Sequence, residues 1–521
     1  MQTKIYEILN DFNRMKWKLA LKGIFVGLFA GLLTVFYRIG IEYGTAIAQK
    51  TYHFLRLHPV YIFFWLIFII LAGLFAGWLV KWEPMAAGSG IPQVEGVLLY
   101  GFKMKWYSIL TVRFLGGILC SLFGISVGRE GPSIQIGAAG GQVAAKRMAK
   151  SHLEENYLIT GGAAAGLSAA FNAPLSGIVF ALEEVHRSFS PLILIAATTA
   201  SLMADFISKN FFGLKPVLHF TVTPQLPIGL YIWLLPISIL SGLMGVLVTK
   251  SLLVFQSFYR KLPVIVRPCI ALLLALPCGI FLPEVLGGGQ NLIEISENAS
   301  KGIMVLVMLL AVKIVFTSTS FGSGVPGGIF LPILSVGALL GSILGGLAVH
   351  AGLPDRYIAD FAVCAMAGVL SASVKAPVTS ILLTAEMSGS LMHMLPVAAC
   401  SFFALLVSDL LKTKPIYEAL LERFVENNDG KLVVEEKGGL QEFPVEYGSY
   451  VCGRKVSEVK WPEGVLIVGI RRGMKEMIPK GNSMILSGDY LVILTPEGDK
   501  RNYRDLFEKC VYADKNTSTI L

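Results

Sequence analysis

The chain carries little charge, and that scarcity is its first constraint. Only 15% of its 521 residues are Asp, Glu, Lys or Arg, against about a quarter in soluble globular domains. Hydrophobic residues make up 54%, and mean hydropathy is +0.66. A water-soluble body is therefore not expected. Paired cysteines are lacking too. The seven, at 120, 269, 278, 364, 400, 452 and 510, show no paired spacing. Five lie in apolar surroundings, where a thiol behaves as a small hydrophobe, so neither a disulfide frame nor a metal site is supported. No His-Glu-x-x-His and no Gly-Lys-Ser/Thr occurs, which removes the commonest metal-protease and phosphate-loop signatures. None of the seven histidines is aligned to activate a serine such as Ser168 in Gly166-Leu167-Ser168-Ala169, so an enzyme is not expected.

What the chain has is long apolar runs. Stretches at 17–37, 60–80, 108–127, 230–253, 303–316 and 395–411 approach the length that crosses a bilayer. An all-α polytopic membrane protein follows. The first 18 residues carry Lys4, Arg14, Lys16 and Lys18 on an amphipathic stretch rather than a cleavable leader. With Lys22 they favour a cytoplasmic N-terminus. The net charge of +9 is spread over loops such as Lys103/Lys105, Lys146/Arg147/Lys150 and Arg260/Lys261/Arg267. That distribution suits topology setting and contact with anionic lipid, not nucleic acid.

Apolar character stops near Phe424, dividing the chain into a membrane part, residues 1–425, a polar linker, 426–439, and a small unit, 440–521. Short β-like runs at 465–470, 484–486 and 490–494, separated by Gly- and Pro-containing turns, predict a β-rich α+β fold there, with a helix-like stretch at 503–510. The membrane part repeats itself. Gly128-x-Glu130-x-Pro132-x4-Gly137-Ala138 matches Gly328-x-Phe330-x-Pro332-x4-Gly337-Ala338 at an offset of 200. Ala173-Pro174-x3-Ile178-x4-Glu183 matches Ala376-Pro377-x3-Ile381-x4-Glu386 at 203. Two halves, about 18–210 and 226–425, are expected, with a binding site at their interface near the midplane. Segments 85–96 and 322–331 are too broken by Gly and Pro to span, and survive at depth only where protein or a water-filled cavity satisfies their backbone.

The centre of interest is Gly128-Arg129-Glu130-Gly131-Pro132. A carboxylate among spanning segments costs a few kcal/mol and marks an ion or proton path. Gly88-Ser89-Gly90-Ile91-Pro92 recurs as Gly322-Ser323-Gly324-Val325-Pro326, out of step with the repeat at an offset of 234. In both, glycines bare the amides and Pro suits a first helical turn, so each is expected to open a helix. Helix starts carry about half a positive charge with free N–H donors and so receive anions. Partial charges without a bare lysine allow an anion to leave as well as enter. Deprotonated Glu130 would occupy such donors itself and, once protonated, release them, making anion and proton occupancy mutually exclusive. Glu183 and Glu184 form a second acid pair, followed by His186 and Arg187. One of them could connect the interior to the cytoplasm, or could simply pair with Arg187.

Together these residues resemble the CLC family of chloride channels and chloride/proton antiporters, over about residues 18–425. Gly88–Pro92, Gly128–Pro132 and Gly328-Ile329-Phe330-Leu331-Pro332 look like its three selectivity-filter segments, and Lys414-Pro415-Ile416-Tyr417 like the segment with its filter tyrosine. The resemblance implies an inverted repeat of tilted, broken helices, forming a homodimer with one pathway per subunit. It implies chloride held by the Ser89 and Tyr417 hydroxyls and the amides of Ile329 and Phe330. Glu130 matches the external gating glutamate and Glu184 the internal proton-transfer glutamate of antiporters, which channel members generally lack. Ser89 and Tyr417 favour chloride over fluoride. The expected function is chloride/proton antiport in a cell's inner (plasma) membrane, both termini cytoplasmic, with a passive channel as the alternative. No cofactor is implied beyond the transported ion. Residues 440–512 look similar instead to the C-terminal RCK (TrkA-C) domain, through Val451-Cys452-Gly453-Arg454-Lys455-Val456, Gly481 and Ser487-Gly488-Asp489-Tyr490-Leu491. That implies a dimerising regulatory module for a small ligand, with cyclic di-AMP a candidate. Arg471 and Arg472 could meet phosphate, or form a solvated pair.

Overall fold

The structure is a computed structural model describing residues 2–150, 152–187, 189–214, 216–218, 226–297, 301–389, 391, 393–427, 439–445, 448–462, 464–472, 475–495, 506 and 509–510. The first half comprises α1 (Gln2–Leu57), α2 (Ile62–Trp82), α3 (Ile91–Tyr100), α4 (Trp106–Leu122), α5 (Glu130–Met148), α6 (His152–Phe171), α7 (Pro174–Phe180) and α8 (Pro191–Phe212). The second comprises α9 (Leu234–Arg260), α10 (Arg267–Phe281), α11 (Gln290–Glu297), α12 (Ile303–Gly322), α13 (Phe330–His350), α14 (Ile358–Val374), α15 (Pro377–Ser388) and α16 (Met394–Leu410). Then α17 (Ile416–Asn427) leads out. Prolines sit in the first turn of α3, α7, α8, α10 and α15, where their missing N–H costs nothing.

Among the described residues seven helical stretches are long and apolar enough to cross a membrane, including three not singled out above: Pro191–Phe212, Phe330–His350 and Asp355–Val374. The protein is a multi-pass membrane protein. The apolar run 108–127 is not one span, because α4 stops at Leu122 and Gly124 turns the chain with φ +71°.

The halves interlock. Gly128 and Gly328 exchange both backbone hydrogen bonds at 2.7 Å, an isolated antiparallel bridge between equivalent positions. Farther out, Glu183 Oε2 accepts from the Thr379 amide (2.8 Å) and hydroxyl (2.6 Å) at the start of α15. In return Glu386 Oε2 accepts from the Ser176 amide (2.7 Å) and hydroxyl (2.5 Å) at the start of α7. Each acid thus caps the other half's helix. Where the halves' own layers meet, glycine removes the spacing side chain: a Cβ on Gly137 or Gly162 would strike the opposite backbone of α6 or α5.

One expectation is corrected. Gly322–Pro326 does not open a helix, since α12 ends at Gly322 and the chain turns on Gly324 (φ +81°) before α13. Its structural mate is the turn at Gly124, whereas Gly88–Gly90 is mated with Gly287–Gly289. Each of those loops follows a short 3-10 turn, Pro84–Ala86 or Pro283–Val285. Their φ values agree, +62° and +94° against +63° and +99°.

Beyond α17, a four-stranded antiparallel sheet runs in the order β1 (Gly439–Pro444), β4 (Asp489–Thr495), β2 (Leu466–Arg472), β3 (Lys475–Met477). β1 and β3 were not foreseen. The run 484–486 is not a strand; Met484 makes only an isolated bridge to Lys455. The helix extends to Asn427 into the expected linker, and residues 428–438 and most of 503–510 lie outside the described residues. Leu99 and Tyr100, at the end of α3, pack into this unit's core with Phe443, Ile470 and Leu491.

Replacing Glu386 with Ala is expected to lower stability in detergent by about 1–2 kcal/mol, the scale of a lost helix cap; an unchanged melting temperature would contradict the capping role.

Candidate functional site

The Gly128–Gly328 bridge brings the starts of α5 and α13 together. Glu130 is the first residue of α5 and is fully buried, and its Oε1 accepts from the Leu331 amide at 3.1 Å. Oε2 is buried with no side-chain or backbone partner among the described residues. The carboxylate therefore sits on the helix start of the other half, where the amides and the helix charge favour an anion. Only glycine fits around it. A Cβ on Gly128 would fall on the Glu130 carboxylate, and one on Gly328 would lie 2.6 Å from Oε2 and 2.8 Å from the Gly131 amide.

One step inward lie the other sequence candidates. A Cβ on Gly131 would strike Ser89, so Ser89 abuts the first turn of α5. Gly90 caps α3 in a left-handed conformation, with Ile91 and Pro92 in its first turn. Ile329 is the N-cap of α13 and Phe330 its first residue, and Pro332 occupies its first turn. The Phe330 ring lies between Phe180 (5.4 Å) and Tyr417 (5.9 Å). The Ser89 Oγ and Tyr417 hydroxyl are both buried beside one another, and neither has a hydrogen-bond partner elsewhere among the described residues. Two orphaned hydroxyls and an orphaned carboxylate oxygen beside helix starts form a cluster of unmet polar capacity, which natural interiors rarely leave. Glu130 itself engages Leu331, a donor one residue beyond the Ile329 and Phe330 amides named from the sequence.

Two cavities approach this cluster. One, of about 400 Å³, is lined by Gly128, Arg129, Glu42 and Leu331. The other, of about 670 Å³, reaches Ser89 and is lined by Lys81, Arg260, Phe321 and Phe424.

Glu183 is committed to α15, so of the acid pair it is Glu184 that remains. It is buried in a π-helical turn, Ala181–Val185, with Oε1 unpartnered among the described residues. Arg187, the partner expected for this acid pair, meets buried Glu95 of α3 through Nη2 at 2.9 Å. Glu95, Arg113 and Lys313 were missed in the sequence. Each is a charge inside an apolar helix, and the rule that picked out Glu130 would have found them. Arg113 Nη1 donates to the Gly88 carbonyl (2.6 Å) and Nε to Gln135 (2.5 Å). Ser168, raised as a nucleophile, donates instead to the Ser201 carbonyl at 2.9 Å.

In the C-terminal unit Arg472 grips buried Asp489 through two hydrogen bonds of 2.7 and 2.8 Å. Arg471 reaches Ser190 Oγ at 3.3 Å and lies over the Tyr490 ring. Both guanidiniums are engaged by protein, while the Arg472 side chain stays partly in solvent.

A twice-repeated membrane fold whose broken helices start face to face around a cluster of unmet polar groups defines a class of ion-conducting protein. The family model described as voltage gated chloride channel matches residues 72–409, and the chain belongs to that family, the CLC proteins. A TrkA-C domain model matches residues 440–508. An H(+)/Cl(-) exchange transporter ClcA of Vibrio vulnificus is 33% identical over 77% of this chain and 89% of its own length. The crystal structure of a slow cyanobacterial Cl-/H+ antiporter superposes with TM-score 0.74 at 29% identity, covering 79% of this chain and 99% of that one. A CLC-type fluoride/proton antiporter shares the fold at 24% identity, TM-score 0.61, covering 77% and 96%.

Gly128→Ala is expected to cost about 1–3 kcal/mol by overpacking, and the Gly128→Ala/Glu130→Ala double variant to recover most of it in thermal melts. No recovery would show that the clash lies elsewhere.

Proposed function

We propose that the protein exchanges chloride for protons across a cell's inner (plasma) membrane. The observation that carries this is the buried Glu130 carboxylate seated on the Leu331 amide, beside the orphaned hydroxyls of Ser89 and Tyr417. When Glu130 is ionised it holds a donor that an anion would use; once protonated it no longer competes, and chloride takes its place. Chloride rests between the Ser89 and Tyr417 hydroxyls and the amides of Ile329 and Phe330. The two hydroxyls suit chloride rather than the smaller, more strongly hydrated fluoride. Protons reach Glu130 from Glu184, which lies on the side that carries the C-terminal unit, next to the Glu95–Arg187 pair. A buried acid at that position favours exchange over a passive channel. The named activities of the Vibrio relative and the cyanobacterial structure agree with this reading.

The loop cations at Lys103/Lys105, Lys146/Arg147/Lys150 and Arg260/Lys261/Arg267 favour a cytoplasmic location for both termini. The chain works as a homodimer with one pathway per subunit. The TrkA-C unit regulates it: the Tyr490 hydroxyl accepts from the Phe189 amide at 3.2 Å and Arg471 meets Ser190. These contacts lie a few residues beyond Glu184, so a ligand that shifts the unit shifts the proton entry. A nucleotide such as cyclic di-AMP is a candidate, bound by groups other than Arg471 and Arg472.

The test is reconstitution of the pure protein in liposomes, where a chloride gradient should drive protons uphill. Chloride flux without proton movement would overturn exchange. Glu130→Ala is expected to keep chloride flux and lose coupling, and Glu184→Gln to lose proton transport while chloride still moves; intact proton exchange in either contradicts the role given.

A further inference from the structure

The inner loop Gly88–Gly90 has an outward-facing twin. Gly287–Gly289 repeats its backbone, with φ +63° and +99° against +62° and +94°, and leads into α11 as Gly88–Gly90 leads into α3. Each loop is held from behind by a buried cation from the second helix after it, α4 or α12. Arg113 of α4 binds the Gly88 carbonyl, and Lys313 of α12 binds the Gly287 carbonyl at 2.9 Å. Lys313 also donates to the Val285 carbonyl (3.0 Å) and Ser126 Oγ (2.9 Å), so all three of its protons are used within the protein.

The twins face different cavities. Gly88 and Ser89 line the 670 Å³ cavity, and Gly287–Gly289 line the 400 Å³ cavity together with Arg129. Gly288 stands where the inner loop has Ser89, so the outer loop supplies no hydroxyl. Arg129 makes up for it. Only 5% exposed, it uses Nη1 on Glu42 at 2.5 Å, while Nε and Nη2 have no hydrogen-bond partner among the described residues. Glu42 is shared with Arg38 at 2.9 Å, so this wall sets two guanidiniums against the carboxylates of Glu42 and the adjacent Glu130, and it becomes net positive when Glu130 is protonated. Unmet guanidinium donors, that positive charge and the start of α11 converge on one small cavity.

The geometry points to a second anion site in the outer cavity, between Arg129 Nε/Nη2 and the Gly287–Gly289 loop, which takes a small monovalent anion such as chloride or bromide from the external solution. It rests on the transport reading above and adds a waiting position outside the Glu130 gate. An ion there is attracted by a fixed charge, whereas the inner approach relies on partial charges at Ser89 and α3, so the two faces of the protein differ in their apparent affinity for chloride.

The test is chloride flux by the full-length protein in liposomes, with half-saturation measured separately for external and internal chloride. Arg129→Gln is expected to raise the external constant about tenfold and leave the internal one in place. Glu42→Gln, which adds net positive charge, is expected to lower the external constant several-fold. Bromide-soaked crystals are expected to show an anomalous peak beside Arg129 and Gly288. External and internal constants that move together, or a Glu42→Gln shift in the same direction as Arg129→Gln, would mean that these residues only hold the fold, and would overturn the site. Bromide at Ser89 and Tyr417 without bromide at Gly288 would overturn the outer site and leave the transport reading standing. Wild-type protein that moves no chloride would instead remove the transport reading, and this site with it.

Discussion

Everything in this molecule is arranged around two helix starts that meet through glycine, with only the Glu130 carboxylate in the space between them. The Gly128–Gly328 bridge sets α5 and α13 end to end at the centre of the fold, with main-chain donors turned toward one place. A start of this kind contributes about half a charge and several N–H groups, enough to hold an anion and too little to trap it. Any Cβ at these glycines would enter the space that the Glu130 carboxylate now fills. Helices that stop at mid-depth leave backbone groups unsatisfied, and only enclosure by protein makes that tolerable. The reciprocal caps by Glu183 and Glu386, and the glycine contacts of α5 with α6, provide the enclosure.

The repeat is symmetric in backbone and asymmetric in chemistry, and the asymmetry carries the function. Position 130 is an acid where its mate, 330, is Phe. Ser89 has Gly288 as its mate, and Arg113 has Lys313. Each half supplies the same frame, and the proposed transport reading uses the differences on it: the acid at 130, the hydroxyl at 89 and the cations at 113 and 313. Glu183 shows the converse. It is repeated between the halves in both identity and task, since Glu183 caps the start of α15 and Glu386 the start of α7.

Much of this could be read from the chain. The glycine- and proline-bearing segments and the offsets of 200 and 203 were legible because close backbone approach demands glycine, and helix starts tolerate proline, wherever the fold repeats them. The same reasoning misplaced Gly322–Pro326. Its letters copy Gly88–Pro92, yet the conformational copy is Gly287–Gly289, where left-handed φ angles require Gly at the two flanking positions and nothing at the middle one. Arg113, Lys313 and Glu95 were legible as charges inside apolar helices, but their partners, backbone carbonyls and Arg187, lie well away in sequence and were not. In the C-terminal unit β1 is short and polar and exists through its pairing with β4, which no local pattern encodes. The apolar triplet at 484–486 lacks such a partner and forms no strand. Arg471 and Arg472 read as surface charges because their partners are distant in sequence: Asp489 across the sheet for Arg472, and Ser190 at the start of α8 for Arg471.

The central claim is that the Glu130 carboxylate and a halide compete for the Leu331 amide. Anomalous diffraction from bromide-soaked crystals of the wild type and of Glu130→Ala tests it most directly. The account expects bromide beside Leu331 in the variant and none there in the wild type. Bromide at that amide in both, with Glu130 still in place, or in neither, would contradict it.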